Sequence, residues 1–441
     1  MKGLGAIIST TVALTAAGAM GASIERRTLP AVSAKGNAFF AGNDRFYIRG
    51  VDYQPGGSSL VADPIADESQ CKRDIAEFKK LGINTVRVYT VDNTASHDAC
   101  MSALDAAGIY LVLDVNTPKY SLNRAQPDMS YNDVYLQNVF ATIDAFQKYS
   151  NVLAFFSGNE VINDDASTSC APYVKAVTRD MRQYIKARGY RQIPVGYSAA
   201  DVSSNRKQMA DYMNCGSDDV RSDFFAFNDY SWCDPSSFKT SGWDQKVKNF
   251  SDYSIPLFLS EYGCNTNTRK FEEVASLYST DMTPVFSGGL VYEYSEEGSK
   301  YGLVTINGDS VTEGDDFNAL KDAYAATSNP SGDGGYKANG SPSKCPSQSA
   351  DWNVTTDSLP SIPSPAQKFM TSGAGTGAGL SGPGSQTAGT PSEGFSAGGS
   401  SSSSGKPKSS AAGPRHDIAF NSAWCTVLVL ASSFLSAAAF L

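Results

Sequence analysis

Histidine is almost missing from this 441-residue chain: there are two, His97 and His416, and His416 falls in a terminal segment. A Ser-His-Asp or Cys-His site would have to be built on His97 alone, and a His-rich zinc site cannot be built at all. Positive charge is also short. With 36 Lys and Arg against 45 Asp and Glu, the net charge of −9 argues against nucleic acid and anionic membrane surfaces, which reward a basic face. Charged residues make up only 18% of the chain, and long apolar runs are confined to its two ends. What is present is core material: 41% hydrophobic residues, including 22 Tyr and 22 Phe, in a length that allows two or three domains. Acid–base chemistry in such a chain falls to carboxylates, and no cofactor or metal is expected.

The ends read as processing signals. Residues 1–23 (MKGLGAIISTTVALTAAGAMGAS) carry an early Lys, an apolar stretch and small residues. This predicts a secretory signal peptide over 1–22, cut somewhere around Ala19 to Ser23. At the other end, no charge follows Asp417 and the chain runs apolar to Leu441. Small residues (Ser409 to Gly413), a polar spacer and an apolar tail form a GPI-attachment signal, with Ser410 as the expected anchor residue and 411–441 removed. A tail-anchored helix is the rival, disfavoured by the N-terminal signal and the lack of Lys or Arg after the run. The mature protein is then expected outside the cell, lipid-held on the outer face of the plasma membrane or moved to the wall.

Cysteine use fits that compartment. Apart from Cys425 in the tail there are Cys71, Cys100, Cys170, Cys215, Cys233, Cys264 and Cys345. An odd number predicts disulfides with one thiol left over, and spacing leaves the pairing open. Sequons at Asn249, Asn339 and Asn353 predict N-glycosylation.

Composition breaks near residue 330. Between Thr371 and Pro414 the only larger apolar residues are Leu380 and Phe395, and the only charges Glu393, Lys406 and Lys408. Such a stretch is expected to stay disordered, so 356–410 reads as a glycosylated stalk following a tail, 331–355, tethered by Cys345. A G-x-S-x-G match around Ser396 lacks the strand and helix that a nucleophile elbow needs, and is discarded.

Within 25–330, eight short apolar runs recur: Phe46–Tyr53, Thr85–Thr90, Tyr110–Val115, Val152–Ser157, Ile193–Ser198, Phe224–Tyr230, Ile255–Ser260 and Gly289–Tyr294. Helical patterns fall between them, over Glu68–Leu81 (stopped by Gly82), Tyr131–Tyr149, Thr268–Tyr278 and Glu313–Tyr324. Eight buried strands alternating with helices predict an α/β fold, a (β/α)8 TIM barrel. A doubly wound open sheet is the main rival, but the first run leads into Asp52-Tyr53-Gln54-Pro55-Gly56-Gly57, without a G-x-G-x-x-G.

Barrels keep their chemistry at the C-terminal ends of the strands. There stand Arg87 and Tyr89, Asp114, Asn159 and Glu160, Asn228 to Tyr230, Glu261, and Tyr292 to Tyr294. Glu160 and Glu261 follow the fourth and seventh runs, which places two carboxyls across the barrel mouth. Glycoside cleavage needs such a pair: one carboxyl protonates the leaving oxygen, and the other attacks the anomeric carbon or activates water. A single Glu at a strand end is commonly only an ion-pair partner. Gly158-Asn159-Glu160 and Ser260-Glu261-Tyr262-Gly263 on the expected strands tilt the reading to catalysis. Tyr53, Tyr89, Tyr230, Trp232, Tyr292 and Tyr294 are expected to offer sugar-stacking faces, while Asp229 and Glu293 read as structural.

These residues resemble glycoside hydrolase family 72, the fungal GPI-anchored β-1,3-glucanosyltransferases, over roughly residues 30–345. The likeness rests on RGVDYQPGG (49–57), GINTVRVYTVD (82–92), FFSGNEVIND (155–164), NDYSWC (228–233), LSEYGCN (259–265) and VYEYSEE (291–297). The resemblance implies Glu160 as acid/base, Glu261 as nucleophile and Asn159 as binder of the sugar hydroxyl beside the reacting carbon. It also implies substrate contacts at Tyr89, Asn116 to Arg124, Asp201, Arg206, Tyr230 and Tyr292. Its disulfides would be Cys71–Cys100, Cys215–Cys345 and Cys233–Cys264, leaving Cys170 free. The Cys-rich carbohydrate-binding module of some members has no counterpart, since only Cys345 follows Cys264 before the stalk. The implied activity lengthens cell-wall β-1,3-glucan by transfer between donor and acceptor chains, by a monomer. A retaining endo-β-1,3-glucanase, or a catalytically silent wall adhesin, are the alternatives.

Overall fold

The structure is a computed structural model that describes residues 28–392 and Phe395. The expected signal segment, Ser410 and the segment 411–441 lie outside the described residues. Val32–Lys35 (β1), Ala38–Ala41 (β2) and Asp44–Phe46 (β3) form an antiparallel sheet. Eight strands follow: Ile48–Asp52 (β4), Thr85–Val88 (β5), Tyr110–Asp114 (β6), Val152–Asn159 (β7), Val195–Ala199 (β8), Phe224–Asp229 (β9), Leu257–Tyr262 (β10) and Phe286–Val291 (β11). They pair in parallel and close in the order β10-β11-β4-β5-β6-β7-β8-β9. Val304–Asn307 (β12) and Ser310–Glu313 (β13) add a hairpin beyond the barrel.

Closure explains the continuous apolar runs. Side chains of a strand point alternately inward and outward, and here both directions are covered, by lumen and by helices. Every residue of β5, β6, β8, β9, β10 and β11 is accordingly buried. The lumen is filled by Phe156, Phe224, Phe258 and Leu290, and β2 plugs its lower end with Phe39, whose ring lies 5.8 Å from Phe224 and 6.0 Å from Phe258. Each such Phe contributes roughly 1.5–3 kcal/mol by burial. The upper end is left to polar side chains.

The helix over Glu68–Leu81 starts where Asp67 caps the Ser69 and Gln70 amides and ends at Gly82, whose φ of 72° suits a residue without Cβ. Asp133–Phe146 and Asp315–Ala326 occupy the expected helical stretches with shifted ends. The stretch expected from Thr268 shrinks to Glu273–Leu277. Its first residues are held out of the helix because Arg269 donates to the carbonyls of Tyr292 and Tyr301 and pairs with Asp316. Disulfides join Cys71 to Cys100, Cys215 to Cys345 and Cys233 to Cys264, and Cys170 is buried and free.

The tail is tethered through Cys345 as expected, and it is packed as well. Residues 331–355 lie on the barrel, where Trp352 is fully buried against Tyr212 and Lys337 donates its backbone N–H to Asn37. Asn249 and Asn339 are exposed, whereas the Asn353 side-chain N–H donates to the Asp165 carbonyl, 2.8 Å away. A sugar on Asn353 would have to be added before that bond forms.

The expected disordered stalk does not begin at 356. Residues 356–392 run across the helices Asp133–Phe146 and Ala171–Ala187, burying Ala366, Phe369 and Ala374. The Arg188 guanidinium donates to the Thr371 carbonyl at 2.7 Å, and Gln137 to that of Ala374 at 3.0 Å. Counting large apolar side chains misjudged this segment. Small residues let the backbone lie flat on the barrel, and its N–H and C=O groups find side-chain partners there.

Candidate active site

Glu261 is the last residue but one of β10, with 8% of its surface exposed. Its Oε1 accepts from the Tyr89 hydroxyl at 2.9 Å and from Arg87 at 3.2 Å, and its Oε2 accepts from the Tyr230 hydroxyl at 2.7 Å. These donors come from the ends of β5 and β9, so closure of the barrel is what assembles them. Three donors fix both carboxylate oxygens and aim the group at the mouth.

Beneath Glu261, Arg87 is wholly buried. It pairs with Asp114 through Nε (2.9 Å) and Nη2 (3.3 Å), and its Nη1 lies 3.9 Å from Asp52. Burial alone would disfavour its charge, but Asp114, Tyr89, Asp52 and Glu261 outweigh that and push its pKa well up. Burial pushes Asp52 well above the usual carboxylate range, against the pull of Arg87, and pushes Asp114 up likewise.

Glu160 follows β7 in the left-handed region, at φ 47°. Its backbone N–H donates to the Ser198 carbonyl at 2.9 Å, and the Arg124 guanidinium donates to its own carbonyl at 2.8 Å. A non-glycine residue in that region is costly and is held only by such flanking bonds. The Asn228 amide donates to Glu160 Oε1 at 2.8 Å. Asn228 is in turn oriented by Ser260, whose hydroxyl donates to Asn228 Oδ1 at 2.8 Å; the Ser198 hydroxyl lies 2.9 Å from that of Ser260 and 2.8 Å from Asn159 Oδ1. Burial and then the neighbouring charge of Glu261 raise the Glu160 pKa to about 7.

That value has a sign. A carboxyl that must deliver a proton is active while protonated, so glycosidic cleavage should fall as pH rises through about 7, the value to which Glu160 is raised. The alkaline limb of kcat/KM measures this, and its persistence in Glu160→Gln would assign it to another group.

The other expected residues divide into two sets. Tyr292 stands edge-to-face with Tyr301 (ring centroids 5.3 Å apart) and with Tyr230 (6.5 Å), beside Glu261. Tyr89, Asp114, Asn116, Leu122, Arg124 and Asn159 line an adjoining cleft of about 210 Å³. Asn116, however, donates to the Ser157 carbonyl and accepts from the Tyr135 hydroxyl, so its amide is committed to the barrel wall. Asp201 accepts from the Tyr230 backbone N–H at 3.0 Å and pairs with Arg206, which makes it a support for Tyr230.

Three expected stacking faces are core. Tyr53 and Tyr294 are buried with hydroxyls donating to Asp74, and Trp232 packs on Trp243 at 5.0 Å. Each has a polar tip satisfied inside the fold, the requirement for burying such a residue. Asp229 pairs with Lys246 at 2.7 Å and Glu293 accepts from Ser299 at 3.2 Å. No periodicity or motif marks Tyr301 or Ser198, and Ser260 enters the motif Ser260-Glu261-Tyr262-Gly263 without any sign that it orients Asn228.

An eight-stranded parallel barrel whose mouth holds two carboxyls, one of them raised towards neutrality, is a glycoside hydrolase-type catalytic barrel. The comparisons with known proteins narrow that class. The sequence model described as Glucanosyltransferase, glycoside hydrolase family 72, matches residues 22–328, and the chain belongs to that family. It is 69% identical over 379 residues to 1,3-beta-glucanosyltransferase gel1 of Aspergillus fumigatus, covering 84% of each chain. It is 55% identical to 1,3-beta-glucanosyltransferase GAS5 of Saccharomyces cerevisiae, with 84% of this chain and 77% of the relative covered. Among solved structures, a glutamate-to-glutamine mutant of Saccharomyces cerevisiae Gas2p in complex with laminaritetraose and laminaripentaose superposes with a TM-score of 0.71. The two are 39% identical, over 77% of this chain and 76% of that one.

Proposed function

We propose that this chain is a retaining β-1,3-glucanosyltransferase. The observation that carries the reading is the contrast between its two carboxyls. Glu160 is raised to about 7 by burial and then by the charge of Glu261, and Glu261 has both oxygens facing donors. The first suits a proton donor, the second a nucleophile. Glu261 attacks the anomeric carbon of an internal β-1,3 linkage as Glu160 passes its proton to the departing oxygen, leaving a glycosyl ester on Glu261. Glu160, now ionised, takes the proton of the 3-hydroxyl at another chain's non-reducing end. That oxygen displaces Glu261 and the acceptor is lengthened. Water in place of the sugar hydroxyl would give hydrolysis.

Asn159 is read as the partner of the sugar hydroxyl beside the reacting carbon, and Tyr230, Tyr292 and Tyr301 as the apolar walls. We also read the chain as a secreted monomer, GPI-anchored through Ser410 or a near neighbour, with N-linked sugars on Asn249, Asn339 and Asn353. The apolar ends support the secretion and the anchor, and the sequons the sugars.

Product analysis with one reduced β-1,3-gluco-oligosaccharide of defined length tests the reaction. Products longer than the input are expected, and Glu160→Gln should lower their formation roughly 10²- to 10⁴-fold, the usual contribution of general acid–base catalysis. Exclusively shorter products would make the protein a hydrolase.

A further inference from the structure

The loop after β6 forms one side of the cleft, with Thr117, Pro118, Ser121 and Leu122 facing it alongside Asn159. Its other side rests on the glycine-rich segment 374–391. Lys119 sends its ammonium away from the cleft, to the carbonyls of Leu380 (2.9 Å) and Gly382 (3.4 Å). The Tyr120 hydroxyl accepts from the Gly384 N–H at 3.3 Å, and the Lys119 carbonyl accepts from the Ser385 N–H at 2.9 Å. Gln386 donates to the Ser121 carbonyl at 2.9 Å. The same segment reaches the loop after β5, where the Gly379 N–H donates to Asn93 at 3.1 Å, and the helix start at Asp133, which accepts from Thr390.

The glycines make this fit. A Cβ on Gly382 would lie 2.1 Å from the Tyr120 hydroxyl, one on Gly377 2.1 Å from Asn93 Oδ1, and one on Gly389 2.4 Å from Asp133 Oδ1. A side chain at any of these positions would force the facing group to shift, so the segment is shaped to the loops it touches.

We propose that residues 374–391 are a strap that positions the cleft wall, and so sets the affinity of the enzyme for glucan without taking part in the chemistry. The proposal rests on the cleft being the glucan site. A wall held in its binding geometry before substrate arrives spares the ordering cost at binding. Releasing the strap therefore acts on KM, while the Glu160 carboxyl is held by Asn228 and that of Glu261 by Arg87, Tyr89 and Tyr230, none of them on this loop, so kcat is kept.

The test uses the purified full chain carrying Gly382→Leu, with Gly377→Leu/Gly382→Leu/Gly389→Leu as the second variant. Hydrogen exchange at the Gly384 and Ser385 amides reports whether the strap has left. Expected are faster exchange there, a KM for β-1,3-gluco-oligosaccharides raised about three- to tenfold, and kcat within about twofold. Faster exchange with unchanged KM would reduce the strap to a stabilising element and overturn the proposal. So would amides that stay protected in the triple variant, because the close approaches would then not shape the fit. A parent protein that neither cleaves nor extends glucan would overturn the functional reading instead.

Discussion

Glu261→Gln is expected to lower glucan cleavage and transfer together by on the order of 10⁴-fold or more, the scale on which an enzyme loses activity without its nucleophile. An amide cannot form the glycosyl ester, so no second step remains to be rescued. The fold should survive the change. Gln keeps one oxygen for Arg87 and Tyr89, and the Tyr230 hydroxyl, now facing an NH2 group, can rotate to accept. Product formation from a reduced oligosaccharide, measured beside the thermal midpoint, checks both parts. A variant within tenfold of the parent would remove Glu261 from the chemistry.

Arg87→Met should act on stability first. It removes the cation that Asp114 and Glu261 contact and that Asp52 approaches, and leaves carboxyls buried around an apolar side chain. Breaking a buried ion pair on one side costs roughly 3–5 kcal/mol. The pH dependence has a definite sign. Asp52 and Asp114 already bind protons more readily folded than unfolded, and losing Arg87 strengthens that difference. A group whose acid pKa is raised by folding favours the folded state less as pH climbs from its unfolded towards its folded value. The variant should therefore lose stability between mildly acidic and neutral pH more steeply than the parent. Urea unfolding at pH 5 and pH 7 measures this, and equal losses at both would refute the account.

The barrel could be read from the chain because its strands are buried on both faces. Runs such as Tyr110–Asp114 and Phe224–Asp229 carry their tertiary environment in their composition. Glu160 and Glu261 were legible for a related reason, as ionisable residues directly after apolar strands. The cluster around Arg87 was not, since its partners arrive from β4, β6 and β10 and only closure unites them. The short β1–β3 sheet and the β12–β13 hairpin lack long apolar runs. The strap was misread because the property that seats it, the absence of side chains, is the property that also marks disorder.

The Cys215–Cys345 bridge gives the molecule a mechanical polarity. A pull applied beyond Phe395 meets the strap first, and loads its hydrogen bonds one after another, as in peeling tape. Next come Phe369 and Trp352, and the force then reaches Cys345. There a covalent bond passes the load to Cys215, just after the helix Arg206–Asn214, so the strand ladders above are not unzipped from the chain's end.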